Sequence, residues 1–342
     1  MIEKPQMNLS DKRVLVTGCA GFIGFHLSQR LLEEGLDVVG IDNLSSYYDP
    51  RWKLARLEIL QRSPRFHFAQ LDIADAAAMS TLFTTHAFSV VFHLASQAGV
   101  RHSIDHPYEY IEGNLKGTVH ILENCRRAGV QHFLFASTSS VYGLDQTPFQ
   151  ESNGGDHPAS LYAATKRSGE LMAHSYAHSF QLPCSCLRFF TVYGPWGRPD
   201  MAPFLFAESL ERGLPVKLFA EGRMRRDFTY IDDVVEAIWR TASRPPRSHN
   251  SAPADRGVSS APWRALNVGG ERPTEVRTFL DLLARHLECS ALVDPQPAPA
   301  ADVWETCADV QRLEDITGFH PRISLDEGVE RFAQWWRVRP RF

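Results

Sequence analysis

Tyr162 and Lys166 stand four residues apart in the run Tyr162-Ala163-Ala164-Thr165-Lys166, a spacing that sets a phenol and an ammonium on one face of a helix. A free phenol titrates near 10, so to take a proton at neutral pH its pKa must fall by about three units, roughly 4 kcal/mol. A neighbouring positive charge does this, and Lys166 is placed to supply one. Tyrosine and lysine at this spacing are common on protein surfaces; what precedes them gives the pair its meaning. Twenty-four residues upstream lies Thr138, in Ser137-Thr138-Ser139-Ser140-Val141-Tyr142-Gly143, at the end of an apolar run that reads as a strand. A hydroxyl at that strand end can hold a substrate alcohol beside the phenol, so the three residues suit proton removal from an alcohol.

The strand Arg13-Val14-Leu15-Val16-Thr17 runs directly into Gly18-Cys19-Ala20-Gly21-Phe22-Ile23-Gly24, a G-x-x-G-x-x-G turn that opens a helix. Glycines at these points let the backbone turn tightly, approach a pyrophosphate and pack the helix on the sheet, while the helix N-terminus faces the anion. Asp42 ends the next strand 24 residues past Gly18, where a carboxylate can take the hydroxyls of an adenine ribose, with Asn43 beside it. The same carboxylate would repel a 2′-phosphate, and Asn43-Leu44-Ser45-Ser46 contains no arginine or lysine, so NAD is expected rather than NADP. Asp72 and Ile73, ending the third strand, are placed to meet adenine; Leu94 and Ala95, ending the fourth, lie where the crevice of such a sheet opens. An oxidised nicotinamide would bring a second positive charge to Tyr162.

These residues need a sheet to hold them. Short apolar or β-branched runs, Arg13 to Thr17, Val38 to Asp42, His67 to Leu71, Ser89 to Ala95, His132 to Thr138 and Cys184 to Phe189, alternate with helix-length segments. This is the pattern of a doubly wound parallel sheet covered on both faces. Between the first two strands Ile23, Leu27 and Leu31 repeat at i, i+4 and i+8, and Gly35 can close that helix. The alternation fails after Phe190, where a Gly/Pro-rich stretch, Gly194 to Pro203, leads through a helix and a basic segment to another helix around Asp232 to Ala242. The expected organisation is a Rossmann-type α/β domain over 1–190, with 228–270 packing back on it, and a smaller mixed α/β substrate lobe from 191–227 and 271–342. Ser243 to Pro262, rich in Pro, Ser, Ala and Arg, reads as an exposed loop. Trp335 and Trp336 are expected to pack against the smaller lobe.

At 342 residues, 44% hydrophobic and 22% charged, the chain has the composition of a globular protein with one enzyme-sized core. A net charge of −4 gives no general attraction to nucleic acid or an anionic membrane, and neither is expected as a partner. No apolar run nears the ~20 residues that cross a bilayer, and the first ten residues do not read as an export signal, so the cytoplasm is the expected location. The six cysteines include no C-x-x-C pair and read as small buried hydrophobes. His174 and His178 have a zinc-like spacing but no glutamate beside the first and no third ligand in view, and no metal is expected.

From about Arg13 to Asp309 the chain resembles the extended short-chain dehydrogenase/reductases. The resemblance implies that Tyr162 is the base, that Lys166 lowers its pKa and holds the nicotinamide ribose, and that Thr138 is the third catalytic residue. Further segments are similar to the UDP-glucuronate 4-epimerases: Asp42 to Asp49, Gln97 to Arg101, Arg188 to Pro195 and Arg198 to Met201. That likeness implies that Ser139, Ser140 and Thr191 line a pocket for the C6 carboxylate with Arg198 nearby, and makes Arg101 a further candidate. UDP-galactose 4-epimerases usually carry asparagine where Thr191 stands; the shorter hydroxyl leaves room for a carboxylate and can donate to it. Arg223-Met224-Arg225-Arg226 resembles the segment whose arginine meets the diphosphate, and Arg226 is the choice among the three. The chain departs from the pattern at two places: no glycine precedes Asp302 in Gln296 to Val303, and Cys307 stands where tyrosine is expected.

The implied reaction is inversion at C4 of a UDP-sugar. Tyr162 takes the O4 proton as hydride leaves C4 for tightly held NAD, the 4-keto sugar turns its other face, and the hydride returns. A 4-keto uronate readily loses carbon dioxide. Similar decarboxylases carry glutamate immediately before the Val-Tyr-Gly of this loop, and 4,6-dehydratases an Asp-Glu pair after the threonine; serine occupies both places here. The alternatives are a UDP-hexose 4-epimerase, a UDP-glucuronate decarboxylase and a non-catalytic NAD-binding sensor, the last of which would be expected to lose the Tyr/Lys pair. Similar proteins commonly form homodimers through a four-helix bundle, and Gly113 and Gly117 would permit close helix approach.

Overall fold

The computed structural model describes residues 7–9, 12–249, 255–298 and 303–342; Pro299 to Asp302, with the glycine-less position before Asp302, and residues 250–254 of the Ser243 to Pro262 stretch lie outside them. The chain runs β1 (Arg13–Thr17), α1 (Phe22–Glu33), β2 (Asp37–Asp42), α2 (Arg51–Leu60), β3 (Phe66–Gln70), α3 (Ala76–Thr85) and β4 (Val90–His93). Then come α4 (His102–Asp105), α5 (Pro107–Tyr110), a π-helical turn over Ile111–Lys116, α6 (Gly117–Ala128), β5 (His132–Thr138), α7 (Leu161–Phe180) and β6 (Cys184–Phe189). The remainder is β7 (Thr191–Tyr193), α8 (Ala202–Glu211), β8 (Val216–Phe219), β9 (Arg225–Tyr230), α9 (Ile231–Ala242), β10 (Trp263–Val268), β11 (Pro273–Glu275), α10 (Val276–Leu287), β12 (Val293–Gln296), α11 (Gln311–Thr317) and α12 (Leu325–Val338).

Seven strands form one parallel sheet in the order β10-β6-β5-β4-β1-β2-β3, so their C-terminal ends share an edge and the order reverses between β1 and β4. Alternate side chains of each strand serve opposite faces. Val14 and Val16 pack with Phe25, Leu27 and Leu31 of α1, while Leu15 and Val39 pack with Met79 and Leu82 of α3 and Ile121 and Leu122 of α6. This is the doubly wound Rossmann arrangement expected. Gly35, at φ +81°, ends α1 with its amide on the Leu32 carbonyl and the Leu36 amide on that of Leu31, which satisfies carbonyls the helix itself cannot.

β10 joins the main sheet beside β6 and α9 packs on α1, so part of the chain after Tyr230 returns to the nucleotide-type domain. A three-stranded sheet, β11-β9-β7, and a parallel pair, β12-β8, pack with α8, α10 and α12. Trp336 is buried against Phe204 and Phe332, and Trp335 touches Phe204, Trp196 and Trp52 of α2, stitching the last helix to both parts.

Two expectations are corrected. In Ser243 to Pro262 the described C-terminal part is packed rather than exposed: Gly257 is buried, its carbonyl accepts from Ala265, and Asp255 pairs with Arg312. Backbone hydrogen bonds and a half-buried ion pair compensate for its polar composition. The space left by Gly117 is taken up inside the subunit, since a Cβ there would stand 2.6 Å from Ile73, and Gly113 sits in the π-helical turn on a cavity wall.

Candidate active site

At the switch between β1 and β4 the sheet edge opens into a cavity of about 370 Å³. Gly18, Gly21, Asp42, Asn43, Asp72, Ile73 and Ala95 line it. Gly18 adopts φ +72°, and a Cβ on it would lie 2.8 Å from the Ala95 nitrogen. A Cβ on Gly24 would lie 2.1 Å from the Gly18 carbonyl oxygen, so the third glycine is what lets α1 seat on the turn. Phe22 and Gly24 are buried, Ile23 is half-buried, and Leu94 packs against the core just behind the cavity. A bare backbone turn at a helix N-terminus, with a carboxylate at the neighbouring strand end, fits the pyrophosphate and ribose of a dinucleotide.

The Asp42 carboxylate, nearly buried, accepts from the Leu44 amide at 2.8 Å and from Nζ of Lys53 at 3.3 Å. Lys53 also donates to Ser45, at 3.2 Å. Asn43 to Ser46 carry no cation, yet α2 brings Lys53 to Asp42 from eleven residues further along the chain, a separation at which local sequence carries no signal. It is already engaged by Asp42, so the carboxylate remains the dominant feature facing a ribose. Asn43 donates to Asp72 at 3.0 Å, tying the ends of β2 and β3 along the same wall.

Thr138 ends β5 and caps the short turn Ser139–Tyr142, where its hydroxyl accepts from the Ser140 amide at 3.2 Å. Tyr162 lies in the first turn of α7, which Ser160 caps through the Ala163 amide at 3.1 Å, and Thr138 is within hydrogen-bonding reach of the phenol. Burial pushes the Tyr162 phenol up, while the Arg198 charge and the Thr138 hydrogen bond pull it down. Lys166 is buried, and its Nζ donates to the Ala136 carbonyl at 2.8 Å. Burial pulls this ammonium down to about 7. Lys166 shares a helix face with Tyr162 and its Nζ engages a strand-end carbonyl, while the Arg198 charge bears on the phenol.

α7 is pinned by Glu170, one turn beyond Lys166 and fully buried. Its Oε1 accepts from Ser137 at 2.6 Å and Nε of Arg188 at 2.9 Å; its Oε2 accepts from Arg188 and Arg167, both at 2.8 Å. Burial alone would raise this carboxyl, but the Arg188 guanidinium and the other donors hold it below its usual range.

Arg198 lines the large cavity and grips both oxygens of Asp200, at 3.0 and 2.5 Å; Asp200 also accepts from the Tyr47 hydroxyl at 2.9 Å. Ser139 and Ser140 lie on a smaller cavity of about 50 Å³ shared with Ser160 and Thr306. Thr191 opens β7, partly buried, and lines neither cavity. Arg101 precedes α4 and lays its guanidinium on the Phe219 ring of β8, 4.5 Å from the centroid. Arg226 donates to the carbonyls of Arg225 and Trp304, while Arg223 and Arg225 pair with Glu221 and Glu305. The fold thus brings Thr138 and the charge of Arg198 to bear on Tyr162, sets Arg198 on the cofactor cavity, puts Ser139 and Ser140 on the smaller cavity beside Thr138, and leaves Thr191, Arg101 and Arg226 off both.

Other residues escape sequence reasoning. Asn114, in the π-helical turn, bonds both the amide and carbonyl of Gln97 on the cavity wall and donates to Thr165 of α7. Asp227, fully buried and pushed up to about 6 by that burial, accepts from the amides of Gly270, Glu271 and Ala308 and so anchors the segment that contains Cys307. His174 bonds Ser259 at 2.8 Å and packs edge-on to Trp263. All six cysteines are free, four of them buried. Among the described residues no helix is long and apolar enough to cross a membrane.

Residues 14–252 match the family described as "NAD dependent epimerase/dehydratase family". A probable UDP-glucuronate 4-epimerase of Rhizobium meliloti is 45% identical over 329 residues, spanning 95% of this chain and 96% of the relative. Among solved structures, UDP-glucuronic acid 4-epimerase from Bacillus cereus, in complex with UDP-glucuronic acid and NAD, superposes with a TM-score of 0.85 at 31% identity, covering 95% of this chain and 99% of the other. UDP-glucose 4-epimerase from Thermotoga maritima with UDP-glucose gives a TM-score of 0.84 at 30% identity, with the same coverage.

Proposed function

The chain belongs to the NAD dependent epimerase/dehydratase family, and from that premise we propose that it interconverts UDP-glucuronate and UDP-galacturonate. The observation that carries the reading is the position of Arg198, which lines the cofactor cavity while its charge bears on the Tyr162 phenol. A carboxylate on C6 is two bonds from C4, so a sugar whose C4 alcohol reaches Tyr162 brings its C6 group toward that guanidinium. The relatives named for UDP-glucuronate support the same choice.

NAD, when bound, supplies the acceptor and then the donor of the C4 hydride. Tyr162 takes the O4 proton and gives it back after the keto sugar has turned. Thr138 holds O4 and the phenol in one hydrogen-bonded group. Arg198 exchanges Asp200 for the substrate carboxylate, with Ser139, Ser140 and Thr191 donating from the adjoining walls. Arg226 meets the diphosphate end, and Arg101 is a further candidate for the carboxylate. Serine at 139 and 140 leaves the loop without an acid to assist chemistry at C6, which favours hydride return over loss of carbon dioxide. The enzyme works in the cytoplasm as a homodimer whose interface covers Val119 of α6 and Leu171 of α7, both exposed in the single chain.

The test is to incubate the purified protein, without added cofactor, with UDP-glucuronate and separately with UDP-glucose, following products by proton NMR. UDP-galacturonate from the first and little product from the second is expected. A pentose nucleotide would show that the serines do not prevent decarboxylation; reaction of UDP-glucose alone would overturn the carboxylate pocket.

A further inference from the structure

The corner between α4 and α5 carries a cluster that the C4 chemistry does not use. His102 opens α4, His106 links the two helices and Glu109 lies in α5, so the three recur at i, i+4 and i+7. Nε2 of His102 is 3.0 Å from Oε2 of Glu109, and Nδ1 of His106 is 3.6 Å from Oε1 of the same carboxylate. The two imidazoles stack, with centroids 4.2 Å apart and planes 21° from parallel, and one ligand atom from each of the three residues lies within 4.8 Å of the others. We propose that His102, His106 and Glu109 bind a zinc-like divalent ion at the rim of the cofactor cavity.

The donor set selects the ion. Two imidazole nitrogens and one carboxylate oxygen form a three-ligand zinc site that leaves a fourth position for water or another ligand, whereas magnesium and calcium take sets made of oxygen. Zinc bonds of about 2.0–2.2 Å in a tetrahedron require ligand atoms about 3.3–3.5 Å apart, so the present spacings close on an ion with side-chain shifts of about 1 Å. His106 and Glu109 are exposed enough to make them. His102 is the fixed member: the Tyr47 ring packs edge-on against it at 4.8 Å, and the Tyr47 hydroxyl is held by Asp200, the partner of Arg198. Glu109 itself lines the cavity, so an ion here draws a carboxylate out of the cavity wall and stiffens the corner beside the cofactor.

The experiment is calorimetric titration of the chelator-treated enzyme, with its NAD retained, using zinc chloride. One site per chain is expected, with a Kd of about 10 µM or tighter. His106→Asn and Glu109→Gln should each weaken it by about tenfold or more, as loss of a direct ligand must at least match the loss of its supporting contacts. His178→Asn, a control on the exposed side of α7, should leave it unchanged. Cobalt(II) should give the visible absorption of a low-coordinate nitrogen and oxygen site in the parent and not in His106→Asn, whose retained NAD shows it to be folded. Failure to bind zinc in this range, or binding that persists unchanged in both ligand variants, would overturn the proposal.

Discussion

Replacing Glu170 by glutamine keeps its shape and removes its charge. The carboxylate accepts four hydrogen bonds, two of them from Arg188, which is itself fully buried. In the variant an amide NH2 faces a guanidinium or a hydroxyl, and Arg188 keeps its charge with no anion in contact. Breaking a buried pair in this way costs about 3–5 kcal/mol. At a few degrees per kcal/mol for a large domain, the apparent Tm should fall by roughly 10 °C. Turnover should fall as well, because Glu170 anchors α7 to β5 and β6 one turn from Lys166. Urea unfolding and NMR-monitored epimerisation read the two effects. Glu170→Met combined with Arg188→Met removes both charges and should recover more than half of the lost stability, since apolar replacements of such pairs are often neutral. The carboxyl is held below its usual range in the fold, so its contribution is complete above about pH 5 and is lost as pH falls through the folded pKa. A Glu170→Gln variant within about 1 kcal/mol of the parent, or a double variant no better than the single, would refute the reasoning.

Three further outcomes are expected. Tyr162→Phe should retain NAD and bind UDP-glucuronate while turnover falls by about 10²–10⁴-fold, the range for loss of a general acid–base group; near-normal NMR rates would remove Tyr162 from that role. Arg198→Ala should reduce turnover of UDP-glucuronate far more than any activity toward UDP-glucose, and equal losses in kcat/KM would sink the carboxylate assignment. Burial depresses Lys166 to about 7 in the fold, against about 10.4 unfolded, so the unfolded chain holds the extra proton between those values and stability should rise with pH across that window. In NAD-free protein Lys166→Met should flatten that rise, and an unchanged slope in pH-dependent urea melts would count against the buried ammonium.

Much of the scaffold was legible because it is local. β1, β5 and β6 coincide with runs of buried residues, and the glycine turn and the Tyr/Lys helix announce themselves by spacing. What escaped depends on partners distant in the chain. Trp263 to Val268 is as apolar as the other strands, yet a polar, proline-rich stretch precedes it and nothing local says that it docks beside β6. Lys53 reaches Asp42 only because α2 folds over the end of β2. Helical spacing sets Lys166 on the face of Tyr162 but leaves the end of its four-carbon side chain to choose among acceptors, and the bond to the Ala136 carbonyl carries no signal in the local sequence. The loop at 255–262 packs despite its composition, since ion pairs and backbone bonds, which composition does not count, hold it down.

Arg56 gives the cofactor turn and the sugar pocket a common fate. Its guanidinium, wholly buried in α2, donates to the Ala20 carbonyl within the glycine turn and to the Trp196 and Gly197 carbonyls immediately before Arg198, with the Tyr48 hydroxyl as a fourth acceptor. A turn that loosened enough to release its dinucleotide would strip these bonds and shift Arg198, the residue proposed to hold the substrate carboxylate. For a catalyst that must return a hydride to the same molecule that surrendered it, such a rivet ties custody of the electron pair to custody of the sugar: the ketone and the reduced cofactor are kept together until the cycle closes.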